Sequence, residues 1–273
     1  MKNKIALCAM IALSSAPQLS HAMYWGTEFT GSLWEMDGKE FRRDATTSRN
    51  LTMPPTSLIE SDKLTQDKLG GFAVIFMEGK STLRLGITVG YGTMPSVSYK
   101  RYINTSGGHD INIFRWNNET TYVPFDLYVK YKVPNSRFSF FAGGGVDYVM
   151  ARTGYNYNYN NADPIPSNFI SFTSKAEFAQ NKFIPQVKAG GEWFITKWLS
   201  LNVGTKYLFN GTLDNLTGNV TEDGVSKGKN RMIMNNGFIY YKKTSEALAT
   251  NERPFKYDLS GLRVDVGFRV YFK

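Results

Sequence analysis

Eight segments of this chain alternate apolar and polar side chains, and the connections between them are by turns short and long. The segments are 23–34, 69–77, 82–93, 121–133, 137–152, 183–196, 199–210 and 258–273. A β-strand sends successive side chains to opposite faces, so each segment has one apolar and one polar face. Segments two and three are joined by "EGKS", four and five by "PNS", and six and seven by little more than "KW". Such residues make tight turns. The other connections, 35–68, 94–120, 153–182 and 211–257, are long. This alternation puts every long connection at one end of an up-and-down array. It predicts an all-β fold: a membrane-spanning antiparallel barrel of eight strands, with short periplasmic turns and long extracellular loops. Each segment holds the ~9–11 residues with which a tilted strand crosses a bilayer. The second segment alternates most weakly, and its parity stays open.

The N-terminus carries Lys2 and Lys4, then the short apolar run "IALCAMIAL", then small residues at Ser20 and Ala22. That order predicts a secretory signal peptide over 1–22 and a barrel domain over 23–273. The single cysteine, Cys8, lies in the signal segment, so the exported chain is expected to carry no disulfide. Export without cysteine fits a bacterial envelope protein, and the expected location is the bacterial outer membrane. The formal charge of +9 falls to +7 without Lys2 and Lys4. The remaining basic residues are scattered. They suit anionic lipid headgroups and lipopolysaccharide phosphates, and nucleic acid is not an expected partner.

Side-chain size decides which face is inside. Phe138, Phe140, Val146, Tyr148, Val187, Trp193, Ile195, Leu201, Val203, Tyr207 and Phe209 share the apolar face. The lumen of an eight-stranded barrel is only wide enough for side chains to fill it, so this bulk belongs outside, against lipid. The polar face holds Gly86, Gly90, Gly92, Gly143, Gly145, Gly190 and Gly267, which leave room in a narrow lumen for long charged neighbours. Those neighbours are Glu28, Arg84, Asp126, Lys130, Lys132, Asp147, Lys188, Glu192, Lys206, Arg263, Asp265 and Arg269. Mixed signs in a closed lumen imply pairing. Glu192, Lys188, Asp147 and Lys206 are expected to join one network. Trp25, Tyr131, Phe138, Trp193 and Phe272 should form an aromatic girdle at the turn end, and Tyr91, Tyr148, Phe183, Tyr207 and Phe209 one at the loop end.

With its leader, "FFAGGGVDYV", "FIPQVKAGGEWFITKWLSLNVGTKYLF" and the terminal strand, the chain resembles the small eight-stranded outer-membrane barrels, the opacity-protein-like surface antigens and their relatives. Such barrels usually end in an aromatic residue, whereas here Phe272 is followed by Lys273. The resemblance implies a surface-exposed barrel whose loops serve adhesion, serum resistance or envelope maintenance.

Motifs for chemistry are sparse. His109, in "SGGHDI", is the only histidine outside the leader, and it lacks a serine partner at useful spacing. One histidine cannot build a histidine-rich metal site. "GGG" at 143–145 sits in mid-strand with no following helix, so it is no phosphate loop. No catalytic, cofactor or metal site is expected. "YNYNYNN" at 155–161 either extends the fifth segment above the membrane or forms a recognition surface, since tyrosine gives large contact area at low entropic cost. Tyr155, Tyr157, Tyr159, Phe169 and Phe172 are the candidate recognition residues. The expected function is envelope integrity or recognition of a host or extracellular ligand through the loops, by a monomer. A narrow ion or small-solute channel is the alternative, and a lipid A-modifying enzyme is less favoured.

Overall fold

The structure, a computed structural model, describes residues 23–34, 39–40, 42–44, 63–66, 68–104, 110–161 and 171–272. The expected leader over 1–22 (with its Cys8), His109 and Phe169 lie outside the described residues. The strands in chain order are β1 (Met23–Trp34), β2 (Lys63–Gln66), β3 (Leu69–Gly79), β4 (Leu83–Thr93), β5 (Val97–Asn104) and β6 (Asp110–Lys132). Next come β7 (Phe138–Asn161), β8 (Ser171–Phe194), β9 (Leu199–Leu208), β10 (Thr212–Leu213) and β11 (Thr217–Glu222). The last are β12 (Val225–Asn235), β13 (Phe238–Lys243), β14 (Glu252–Pro254), β15 (Tyr257–Asp258) and β16 (Gly261–Phe272).

Eight of these strands close on themselves. β1 pairs with β3, β3 with β4, β4 with β6, β6 with β7, β7 with β8, β8 with β9, β9 with β16, and β16 with β1, all antiparallel. Closure leaves this ring without an edge, so every wall strand has a partner on both sides. The ring is the predicted eight-stranded antiparallel barrel, and its hairpin connections at one end are short.

The wall is apolar on its outer face. Phe29, Leu85, Leu127, Phe140, Phe183, Val203 and Phe268, from seven different strands, are all exposed, Phe183 to 68%. The parity of β3 is also resolved: Phe72, Val74, Phe76 and Glu78 point inward, and Leu69, Ala73 and Ile75 outward. On β8 the apolar outer face runs from Phe183 to Trp193. Ten residue steps at about 3.3 Å, tilted by about 40°, give a band roughly 25 Å tall, the height of a bilayer-facing belt. Aromatic pairs mark its two borders: Trp25 with Phe272 at the turn end (ring centroids 4.7 Å), and Tyr148 with Phe183 (4.8 Å) and Tyr207 with Phe209 (4.8 Å) at the other.

The long connections differ from irregular loops. β6, β7 and β8 continue well past the top of β4 and β9, and much of the sequence between wall strands joins them as further strands. Above Thr121 the edge of β6 passes from β4 to β5, and β2 pairs with β5 in turn. Above Gln186 the edge of β8 passes from β9 to β11, which leads to β12, β13 and β14. The result is an upper sheet of order β2-β5-β6-β7-β8-β11-β12-β13 standing on the barrel. Strand formation satisfies the backbone groups that a long coil would leave to solvent.

Candidate functional site: the lumen and the upper sheet

Inside the barrel the charged residues read from the sequence form two clusters and a pair. In the cluster nearer the short turns, Arg84 lies 2.9 Å from Glu78, and Lys130 lies 2.7 Å from Glu78 and 2.5 Å from Glu192. Arg269 lies 2.7 Å from Glu28, 3.9 Å from Glu192 and 4.0 Å from Glu78. The second cluster joins Lys188 to Asp126 at 2.7 Å, and Lys206 to Asp147 at 3.1 Å and to Asp126 at 3.6 Å. Higher still, Arg263 pairs with Asp265 at 2.8 Å and donates to the Tyr122 hydroxyl at 2.9 Å. Neutral groups fill the remaining valences. Thr88 and Gln186 donate to Asp126, Asn202 to Glu28, and Tyr271 to Glu192.

The four-residue network of Glu192, Lys188, Asp147 and Lys206 is therefore split. Glu192 reaches down to Lys130, while the other three gather around Asp126. The separation follows from height: Lys188 lies four residues up β8 from Glu192, two inward positions away. Glu78 was missed. It is the best-buried acid of the lower cluster, at 0% exposure, and the sequence reading assigned it to the turn "EGKS", whereas β3 runs on to Gly79 and carries it inward. Lys132 sits at the turn end instead and donates to the Ser136 carbonyl. With Glu78 included and Lys132 set aside, six acids face six bases in the lumen.

The inward glycines make room for rings as much as for charges. A Cβ at Gly86 would enter the Tyr128 ring, and one at Gly190 would meet Phe141. These rings wrap a buried cation: the Arg269 guanidinium carbon lies 5.1 Å from the Phe76 ring centre, 5.2 Å from Tyr128 and 5.4 Å from Phe141. Such contacts attract a desolvated cation through the negative ring face. The cavity left between Glu28, Asp126, Lys188, Lys206 and Arg269 is about 20 Å³, room for about one water.

Above the charges the interior turns apolar. Trp116, Tyr155 and Phe178 from the upper sheet pack with Leu213, Leu216, Val220, Met232, Phe255, Tyr257 and Leu259 from the connection between β9 and β16. Lys182 ties that connection down by donating to the Thr212 carbonyl at 2.7 Å. Nearby, Asp44 accepts the Ile239 amide at 2.8 Å, and Arg253 pairs with Glu40 at 2.7 Å.

This core corrects the reading of the tyrosine run. Tyr155 is only 9% exposed, with its ring 4.4 Å from that of Trp116 and 5.7 Å from that of Tyr241. Tyr157 is half-buried against the same core. Strand parity is the cause: β7 continues unbroken, so its odd positions point inward and the intervening asparagines take the outer face. The Tyr155 ring is thus taken up by this core, and Tyr157 packs partly against it. For Tyr159 and Phe172 the structure gives only backbone register, opposite one another on β7 and β8.

An open cleft of about 530 Å³ lies on the far side of the upper sheet, lined by Asn235, Asn236, Phe238, Tyr240, Lys242 and Glu252 among others. Tyr240 is exposed there. Lys242 lies 2.6 Å from Glu252, which also accepts the Ala249 amide at 2.8 Å. That amide and the lysine hold the Glu252 carboxyl below the usual range. Burial, with the Glu222 carboxylate next to it, pushes the Tyr241 hydroxyl up to about 12. Nothing in the residue pattern points to this cleft, because β12, β13 and β14 meet only through folding of the last long connection.

No family model matches the chain, and no curated protein matches it. Among solved structures, the outer membrane protein OprG from Pseudomonas aeruginosa is 12% identical, over 92% of this chain and 94% of that one, with a TM-score of 0.29. The translocator domain of the autotransporter NalP from Neisseria meningitidis is also 12% identical, over 99% of this chain and 98% of that one, with a TM-score of 0.21. Likeness at that level adds nothing to what the closed ring itself shows.

Proposed function

We propose that this chain is a monomeric bacterial outer-membrane barrel that does not conduct, and that it acts by presenting its upper sheet as a recognition surface. One observation carries the reading: the barrel is inside out relative to a soluble protein. Its outer wall is a belt of exposed Phe, Leu, Val and Tyr, while Glu78, Lys130, Asp147 and Arg263 are fully buried within. An apolar exterior of that extent is stable only against lipid.

The channel alternative is weakened by the lumen. Among the described residues, six acids paired with six bases, a cavity of about 20 Å³ between them and apolar packing above them support a filled lumen. What remains for function is the upper sheet, whose cleft at Tyr240 and Lys242 offers aromatic and polar groups together. The role is one of binding, in envelope maintenance or in recognition of an extracellular ligand, rather than catalysis.

Three measurements test this. Membrane fractionation should place the protein in the outer membrane, and the folded form should migrate faster than the heated form on a semi-native gel. In planar bilayers it should give no steady conductance. Steady single-channel currents would put the channel reading first, and recovery from the soluble fraction would end the membrane reading.

A further inference from the structure

Six strands of the upper sheet share one cross-strand row in which four of six residues are basic. Register places Lys63 of β2 opposite Lys100 of β5, Lys100 opposite Arg115 of β6, Arg115 opposite Asn156 of β7, Asn156 opposite Lys175 of β8, and Lys175 opposite Thr221 of β11. Residues directly opposite in an antiparallel sheet share a face, and like charges so placed destabilise it. Arg115 and Lys175 are exposed, and the buried Trp116 and Ser174 beside them show that this row is on the outer face. Neither makes an ion pair among the described residues. Toward the barrel, Arg152 and Glu177 pair with each other at 3.3 Å, and the exposed Glu119, opposite Arg152, accepts from the Asn117 amide at 3.3 Å. Among the described side chains the row thus presents Arg115 and Lys175, to which register adds the positions of Lys63 and Lys100, and the Asp223 carboxylate beyond Lys175 is already taken by the Thr173 amide at 2.7 Å.

We propose that this row binds the phosphorylated core saccharide of lipopolysaccharide in the membrane around the barrel. The inference rests on the outer-membrane reading above. Two features select this source of negative charge. The row faces sideways, as a continuation of the lipid-facing wall, and not up toward the medium. It also stands above the belt: Asn156 lies eight residues up β7 from Tyr148, whose ring marks the belt border with Phe183. At about 3.3 Å per residue and a tilt of about 40°, that is roughly 20 Å, beyond the acyl chains and headgroup border and within a saccharide layer. Asn158, partly exposed on the same face one outward position above Asn156, adds an amide group for sugar hydroxyls.

The test uses the full-length folded protein in detergent with three probes: lipopolysaccharide bearing its phosphorylated core, lipid A alone, and soluble heparin as competitor. The parent should bind the core-bearing form about tenfold or more tighter than lipid A, and less tightly as salt rises. A variant combining Lys63→Ser, Lys100→Ser, Arg115→Ser and Lys175→Ser should lose that advantage, while its lipid A binding and heat-modifiable migration stay as in the parent. Unchanged binding by the variant overturns the proposal, as does equal binding of lipid A and the core-bearing form by the parent. Preference for heparin over lipopolysaccharide would assign the row to a soluble glycan and overturn the source. If the protein fractionates away from the outer membrane, the functional reading itself fails. If it resides there and the variant binds normally, the row alone fails.

Discussion

Glu28 and Arg269 stand directly opposite each other on β1 and β16, the pair of strands that closes the barrel, and the Arg269 Nε lies 2.7 Å from Glu28 Oε2. Both are buried, and Arg269 also approaches Glu78 and Glu192. The seam between the first and last strands is thus locked by an ion pair that touches the acids of two other strands.

Removing one partner of a buried pair leaves the other charged and unpaired. Arg269→Met should lower barrel stability by about 3–5 kcal/mol. Val266→Leu on the lipid face should change it by less than about 0.5 kcal/mol. Urea unfolding in lipid bicelles measures both. Similar losses from the two variants would mean that the faces are reversed.

Gly86 leaves the space that the Tyr128 ring occupies. Gly86→Val should destabilise the barrel by about 1–3 kcal/mol through overpacking. Pairing it with Tyr128→Ala should recover part of that loss, because the ring that clashes is gone. The double-mutant cycle is the check, and strict additivity would contradict the contact.

Tyr155 belongs to the core of the upper sheet and not to a binding face. Tyr155→Ala should cost the upper sheet about 3–5 kcal/mol, seen as faster amide exchange in β6 to β8 above the belt, with the barrel wall still protected. Asn156→Ala on the outer face of the same strand should leave exchange nearly unchanged.

The clamp between Lys242 and Glu252 should weaken in acid. The carboxyl is held below its usual value of 4.5 when folded. Its contribution is therefore complete above that value and is lost as pH falls through the lowered one. Amide exchange across β12 and β14 should rise over that interval, and Glu252→Gln should remove the pH dependence. No change with pH in the parent would rule the clamp out as a stabiliser of the cleft.

Much of the barrel was legible in the residues, because a strand's period of two is local and survives without knowledge of partners. The alternation of Arg263, Asp265 and Arg269 with Val264, Val266 and Phe268 assigned their faces correctly, as did the short turns and the aromatic pairs at the belt borders. The "YNYNYNN" run alternates as cleanly. The sequence by itself determined that its tyrosines share one face, but only tertiary structure decided that this face is a core, because the covering side chains Phe255, Tyr257 and Leu259 lie a hundred residues away. The partners within the lumen were beyond sequence for the same reason. Whether Glu192 meets Lys130 or Lys188 depends on strand stagger, and stagger is set by closure of the whole ring. The basic row joins Lys63 to Lys175 through four successive registers, and no register exists until the strands have paired.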